Sequence, residues 1–250
     1  MILPASCAQR GEAERRPKDL DLFAALLWYV ALLFSLCCHE AAHGWAARRG
    51  GDPTAYLGGQ VTLDPRPHIR REPFGTVVMP LIAYSAAGWM IGWASTPYDP
   101  HWAVRYPRRA AWMSLAGPAA NAALVLVAAL AIRLGLAAGV FDAPASIGFD
   151  RVAASASEGV WTTIASFVSI LFTLNLVLLV FNLIPVPPLD GAGAIGLLLP
   201  ERLALRLRLA FARPGWGLFG MLVAWVAIDE LLPPVHRAAI RLLYPEFAYG

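Results

Sequence analysis

Charge is scarce in this 250-residue sequence, and lysine is scarcer still. Charged residues make up 15% of it, against about a quarter in ordinary soluble domains, and Lys18 is the only lysine. Hydrophobic residues make up 58% and mean hydropathy is +0.56, which excludes a soluble globular domain and leaves an integral membrane protein. Cysteine is also rare. Cys37 and Cys38 are adjacent in an apolar run and Cys7 is left over, so no disulfide framework is expected. The net charge of +3 comes from arginines scattered between apolar segments, a pattern of membrane topology that excludes a basic nucleic-acid face. No repeat or low-complexity stretch is present. Residues 1–20 are polar and mixed in charge, without the apolar core or cleavage signal of a secretory peptide, and read as a flexible tail before a single membrane domain over 21–250.

Within that domain Leu20 to about Ala47 is the first spanning candidate, free of proline and of glycine until Gly44 and closed by Arg48, Arg49, Gly50 and Gly51. Residues 52–73 hold four prolines, paired glycines and an alternating run at Gln60 to Leu63 that suits a short strand. Further apolar stretches follow at about 74–94, 110–139, 159–184, 191–199 and 215–232. Arg66, Arg70 and Arg71 precede the stretch 74–94, and Arg105, Arg108 and Arg109 follow it, which puts both flanks on the cytoplasmic side and makes the stretch re-entrant. Loop 140–158 carries only Arg151, whereas 201–213 carries Arg202, Arg206, Arg208 and Arg213, in keeping with the same orientation. The expected fold is an all-α polytopic bundle of about five spanning helices, with one re-entrant segment and a short β element near the active site.

The first span ends in "HEAAH", residues 39–43. In a helix, i and i+4 share a face, so His39 and His43 can turn ring nitrogens toward one metal while Glu40 sits beside them. Three protein ligands and a water make the usual catalytic zinc site. The metal lowers the pKa of that water to about 7, and Glu40 is the candidate base. Composition alone would produce the motif by chance in roughly 0.3% of such chains, and ionisable groups inside an apolar helix are expensive unless used. A third ligand is needed. "FNLIPVPPLDG", residues 181–191, follows the span 159–184, and Pro185, Pro187 and Pro188 must break the helix, setting Asp190 at a polar mouth. Asp190 is either a helix N-cap or a carboxylate ligand, and the histidine pair favours the ligand.

Together, "HEAAH", "SLAGPAAN" at 114–121 and "FNLIPVPPLDG" resemble the site-2 protease family of intramembrane zinc metalloproteases, over most of residues 22–200. "GDPTAYLGGQVTLDPRPHI" followed by "FGTVVMPL" is similar to its small bacterial members without a PDZ domain. The resemblance implies peptide-bond hydrolysis in or near a transmembrane substrate in a lipid bilayer, with one zinc ion per chain. It makes His39, His43 and Asp190 the metal ligands and Glu40 the catalytic glutamate, and it gives Asn182 a hydrogen bond to substrate or oxyanion. Gly117, Pro118 and Asn121 match the glycine-proline motif of an intervening helix, for which close helix packing is the reading. The run "YLGGQVTL" could hold an unwound substrate as an added strand, or be a plain connecting hairpin. A multi-pass protein of a prokaryotic inner membrane, its site toward the cytoplasm, is expected. A metal transporter using the same ligands and a catalytically silent scaffold are the alternatives.

Overall fold

The computed structural model describes residues 21–246; the tail expected over 1–20 lies outside them. Helix α1 (Leu22–Gly50) begins where the Asp21 carboxylate accepts from the Phe23 and Ala24 amides at 3.0 Å. It ends where Gly51, at φ 99°, returns its own N–H to Arg48 and Ala47 carbonyls. Short helices α2 (Thr54–Leu57) and α3 (Pro65–Arg71) follow, then a π-helical turn (Phe74–Val78) running into α4 (Met79–Ala87). An extended stretch leads to α5 (Pro100–Arg105) and the long α6 (Pro107–Ala137). Strands β1 (Phe141–Asp142) and β2 (Ala154–Ser155) pair antiparallel, with Phe141 opposite Ser155, before α7 (Val160–Asn182). Helix α8 (Asp190–Ala194), a 3-10 turn (Ile195–Leu197), α9 (Glu201–Phe211) and α10 (Trp216–Leu243) complete the order.

Among the described residues, four helices are long and apolar enough to cross a membrane: α1, α6, α7 and α10. That is one fewer than the roughly five expected. This is a multi-pass membrane protein. Helix α6 packs between α1 and α7, so α1 and α7 run the same way and bring their C-terminal ends to one level. Trp28, Ala31, Leu32 and Leu36 of α1 meet Ile170 and Leu174 of α7, with Met90 from the extended stretch. At the opposite end Ile132 of α6, Phe141, Val152, Phe172 of α7 and Tyr244 form a second core. Leu22, Leu26 and Val30 of α1 and Leu218, Leu222 and Val226 of α10 stay exposed, as side chains facing lipid would be.

Three features differ from expectation. Gln60–Leu63 forms no strand; the Gln60 amide instead bonds back to Ala55 O at 2.9 Å and the next residues bend. The strand pair lies between α6 and α7, at the end of the bundle away from the HEAAH motif of α1, where Phe141–Asp142 and Ala154–Ser155 run side by side in the connection between the two helices. Helix α10 continues beyond 232, through Pro233 and Pro234. The carbonyls those prolines leave without donors, at Asp229 and Glu230, are on exposed residues and can be hydrated. The stretch 74–94 turns back on itself. Its helical part, Phe74–Ala87, reaches about 21 Å at 1.5 Å per residue, short of a bilayer core of about 30 Å. Trp93 N–H then donates to Gly75 O at 3.1 Å. Gly75 and Gly92 allow this approach, since a Cβ on either would strike the other arm's backbone.

Candidate metal centre

Three side chains from two separated segments converge at the level where α1 and α7 end. His39 and His43, one turn apart on α1, have their Nε2 atoms 2.9 Å from each other, and Asp190 Oδ2 lies 3.0 Å from the first and 3.2 Å from the second. Asp190 is the first residue of α8 and makes no cap there; its carboxylate turns to the histidines. The turns that close residues 184–189, with Val186 N–H on Ile184 O and Leu189 N–H on Val186 O, reverse the chain after α7 and carry Asp190 back. Helix α10 braces this turn through Ala224, packed on Ile184 and Leu189.

Ring orientation is set by the other nitrogens. His43 Nδ1 lies 2.7 Å from Met113 O, and a carbonyl only accepts, so the proton is on Nδ1. His39 Nδ1 is 2.6 Å from Asn121 Oδ1. The Asn121 amide is oriented by its own bond, Nδ2 to Asn175 Oδ1 at 2.8 Å. Asn175 Nδ2 in turn donates to Ser35 Oγ at 2.9 Å and Leu171 O at 2.8 Å, and Ser35 Oγ donates to Ala31 O at 2.6 Å. This chain of buried groups ties α6, α7 and α1 together one turn below His39. With each Nδ1–H committed, both Nε2 lone pairs and a carboxylate oxygen point at one another, a set of three donors that could hold a metal ion. Two imidazoles and a carboxylate suit zinc, for which tetrahedral ligands at 2.0–2.1 Å stand about 3.3 Å apart. The residues present fit that metal.

Gly117 makes room for the pair. A Cβ there would collide with the Nε2 atoms of both histidines. Glu40 is buried at 5% exposure. Its backbone carbonyl accepts from Thr96 Oγ1 at 2.9 Å, and its carboxylate has no hydrogen-bond partner among the described residues. It lines, with the three ligands, a cavity of about 490 Å³. Asn182 lines the same cavity and donates from Nδ2 to Leu178 O at 3.0 Å. Cys37 is buried and Cys38 half-buried, and neither belongs to the His-Asp cluster. Sequence reasoning assigned Asn121 to packing. Its signal was there, a lone amide in an apolar helix, but Asn175 and Ser35 gave no motif to connect it to. Replacing Asn121 with leucine is expected to weaken zinc binding by roughly 10–100-fold with the fold retained, as removal of a ligand's hydrogen-bond partner does elsewhere. Chelator competition against the parent measures it, and an unchanged affinity would remove Asn121 from the centre.

By its fold and donor set this is a multi-pass membrane protein whose His39, His43 and Asp190 could together hold a metal ion. Comparison with known proteins narrows the class. The chain is 32% identical over 199 residues, 79% of its length and 78% of the relative's, to "Putative zinc metalloprotease YwhC" of Bacillus subtilis. It is 34% identical over 170 residues to "Putative zinc metalloprotease Rip2" of Mycolicibacterium smegmatis, covering 68% of this chain, and 32% identical over 163 residues, 65% of this chain, to that of Mycobacterium tuberculosis. The chain spans only 56% and 53% of the length of those two Rip2 relatives. No family model and no solved structure gives a significant match. The chain belongs to the zinc metalloprotease family that includes YwhC.

Proposed function

We propose that this chain is an intramembrane zinc endopeptidase of the site-2 type, which hydrolyses peptide bonds in or near transmembrane segments of other membrane proteins and so serves regulated intramembrane proteolysis. The observation that carries the reading is the convergence of His39, His43 and Asp190 within 3.2 Å beside a carboxylate with no partner, at the end of helices apolar enough to span a membrane. Zinc bound there supplies a Lewis acid for a carbonyl oxygen and acidifies water. Glu40, free of other bonds, takes the proton from the attacking water and delivers it to the leaving amine. Asn182 spends one N–H on Leu178 O and keeps the other, with Oδ1, for the substrate backbone. A helical substrate hides its carbonyls in internal hydrogen bonds, so segments weakened by glycine or proline are the targets. The arginine flanks favour a site toward the cytoplasm of a prokaryotic inner membrane, and the one His39–His43–Asp190 group found among the described residues gives one zinc per chain.

Asp190→Ala is the direct test. Purified parent protein should hold one zinc and cleave a test transmembrane peptide; the variant should lose both, because two histidines alone make a weak site. Zinc and cleavage that survive together would remove Asp190 from the centre and this reading with it. Orientation is checked separately. Cysteines at the exposed positions Arg70 and Val104, in a background without the native cysteines, should both react with a membrane-impermeant label from the cytoplasmic side. Labelling from opposite sides would mean that the stretch 74–94 crosses.

A further inference from the structure

Helix α9 is amphipathic, and the stripe it turns to the catalytic cavity is Ala204, Leu207, Arg208 and Phe211, the i, i+3, i+4, i+7 positions of one face. Two arginines of this helix, Arg202 and Arg206, are exposed; Arg208 stands in the inward stripe, half-buried. Its Nη2 lies 3.8 Å from the Cβ position of Gly193, where Ser114 Oγ also packs. Gly193 is one turn beyond Asp190 on α8, and Ser114 one turn before Gly117 on α6, so the guanidinium stands about a helical turn outside the metal centre on the same cavity wall. Among the described residues no carboxylate or carbonyl bonds it. The carboxylates lining the cavity are Glu40 and Asp190, and Asp190 is turned to the histidines. A guanidinium offers five donors in a planar fork that matches a carboxylate.

We propose that Arg208 is a specificity-determining residue that receives a carboxylate of the substrate, an aspartate or glutamate side chain a few residues from the scissile bond. The proposal rests on the proteolytic reading above. An Arg–carboxylate pair in a partly buried site gives a preference of roughly tenfold or more over the uncharged amide. It acts on substrate binding, so the preference appears mainly in KM.

The test uses the full-length, zinc-loaded protein in nanodiscs and synthetic single-span peptides with a Gly-Pro interruption. The peptides carry Asp, Asn or Lys at successive positions around the cleavage point, each made with a free and an amidated C-terminus. Parent protein should favour Asp over Asn at one position. Arg208→Leu should bring that ratio to about one, Arg208→Glu should move the preference to Lys, and zinc content should stay equal throughout. A preference for the free over the amidated terminus, abolished in Arg208→Leu, would support the carboxylate but assign it to the chain end. No Asp preference in parent protein that cleaves, or one that survives in Arg208→Leu, overturns the proposal and leaves the protease reading standing. No cleavage of any peptide by the zinc-loaded parent overturns both.

Discussion

Glu40→Gln is expected to keep its zinc and its fold and to lose cleavage by about 10²–10⁴-fold, the range that a positioned general base contributes. Glutamine has the shape of glutamate but cannot accept the proton. The three metal ligands are untouched: His39 and His43 are held by Asn121 and Met113 through their Nδ1 atoms, and Asp190 arrives from another segment. The substitution breaks no hydrogen bond, because the Glu40 carboxylate has no partner to lose. Thermal stability should therefore hold. Zinc content, melting temperature and turnover of a test peptide measured on one preparation separate these effects. A variant that cleaves within tenfold of the parent would show that Glu40 is not the base. Loss of zinc would make Glu40 a ligand, as a transport site would have it.

Gly117→Ala is expected to cost the protein its metal through a single methyl group. The new Cβ would occupy the space of both Nε2 atoms, the atoms that must face the ion. Neither ring can step aside cheaply. His43 is tied to Met113 on the same helix as Gly117, and His39 to Asn121 one turn on, so shifting α6 away from α1 moves the anchors with it. Overpacking of this kind costs about 1–3 kcal/mol of stability, which a four-helix bundle can absorb, whereas catalytic geometry tolerates only about 0.5 Å. Zinc affinity and cleavage should therefore fall by at least about a hundredfold while helical circular dichroism persists. Gly58→Ala, where a methyl meets only ordinary contacts, serves as the control and should retain both. Full zinc occupancy and activity in Gly117→Ala would mean that the rings have room the structure does not show.

Helix positions were largely legible in the sequence, because a long apolar run without proline has few alternatives in a bilayer. The ends were less so: α1 runs three residues past Ala47 to its Gly51 cap, and α10 passes through two prolines that hydropathy took for an end. The arginine flanks of the stretch 74–94 pointed to a segment that does not cross, and the structure adds a bond from Trp93 N–H to Gly75 O that folds the stretch back on itself. The run Gln60–Leu63 misled, since alternation describes a strand only when a partner strand exists, and here Gln60 bonds back to α2 instead.

For the centre itself, sequence by itself determined which atoms of α1 could cooperate. The helical period places His39 and His43 on one face, with Glu40 beside them, whatever the rest of the chain does. It also determined that a helix must stop before Asp190, because three prolines within four residues leave donors missing. The family resemblance pointed to Asp190 as a ligand, but only tertiary structure shows it beside the histidines and not as a cap, since 147 residues of chain separate it from His43 and no local rule spans that distance. Tertiary structure alone turned Asn121 from a packing residue into the partner of His39, and gave Gly117 and Arg208 their places around the cavity. Such contacts depend on how α6 lies between α1 and α7, and packing of that kind is set by the summed shapes of all three helices, which no short motif encodes.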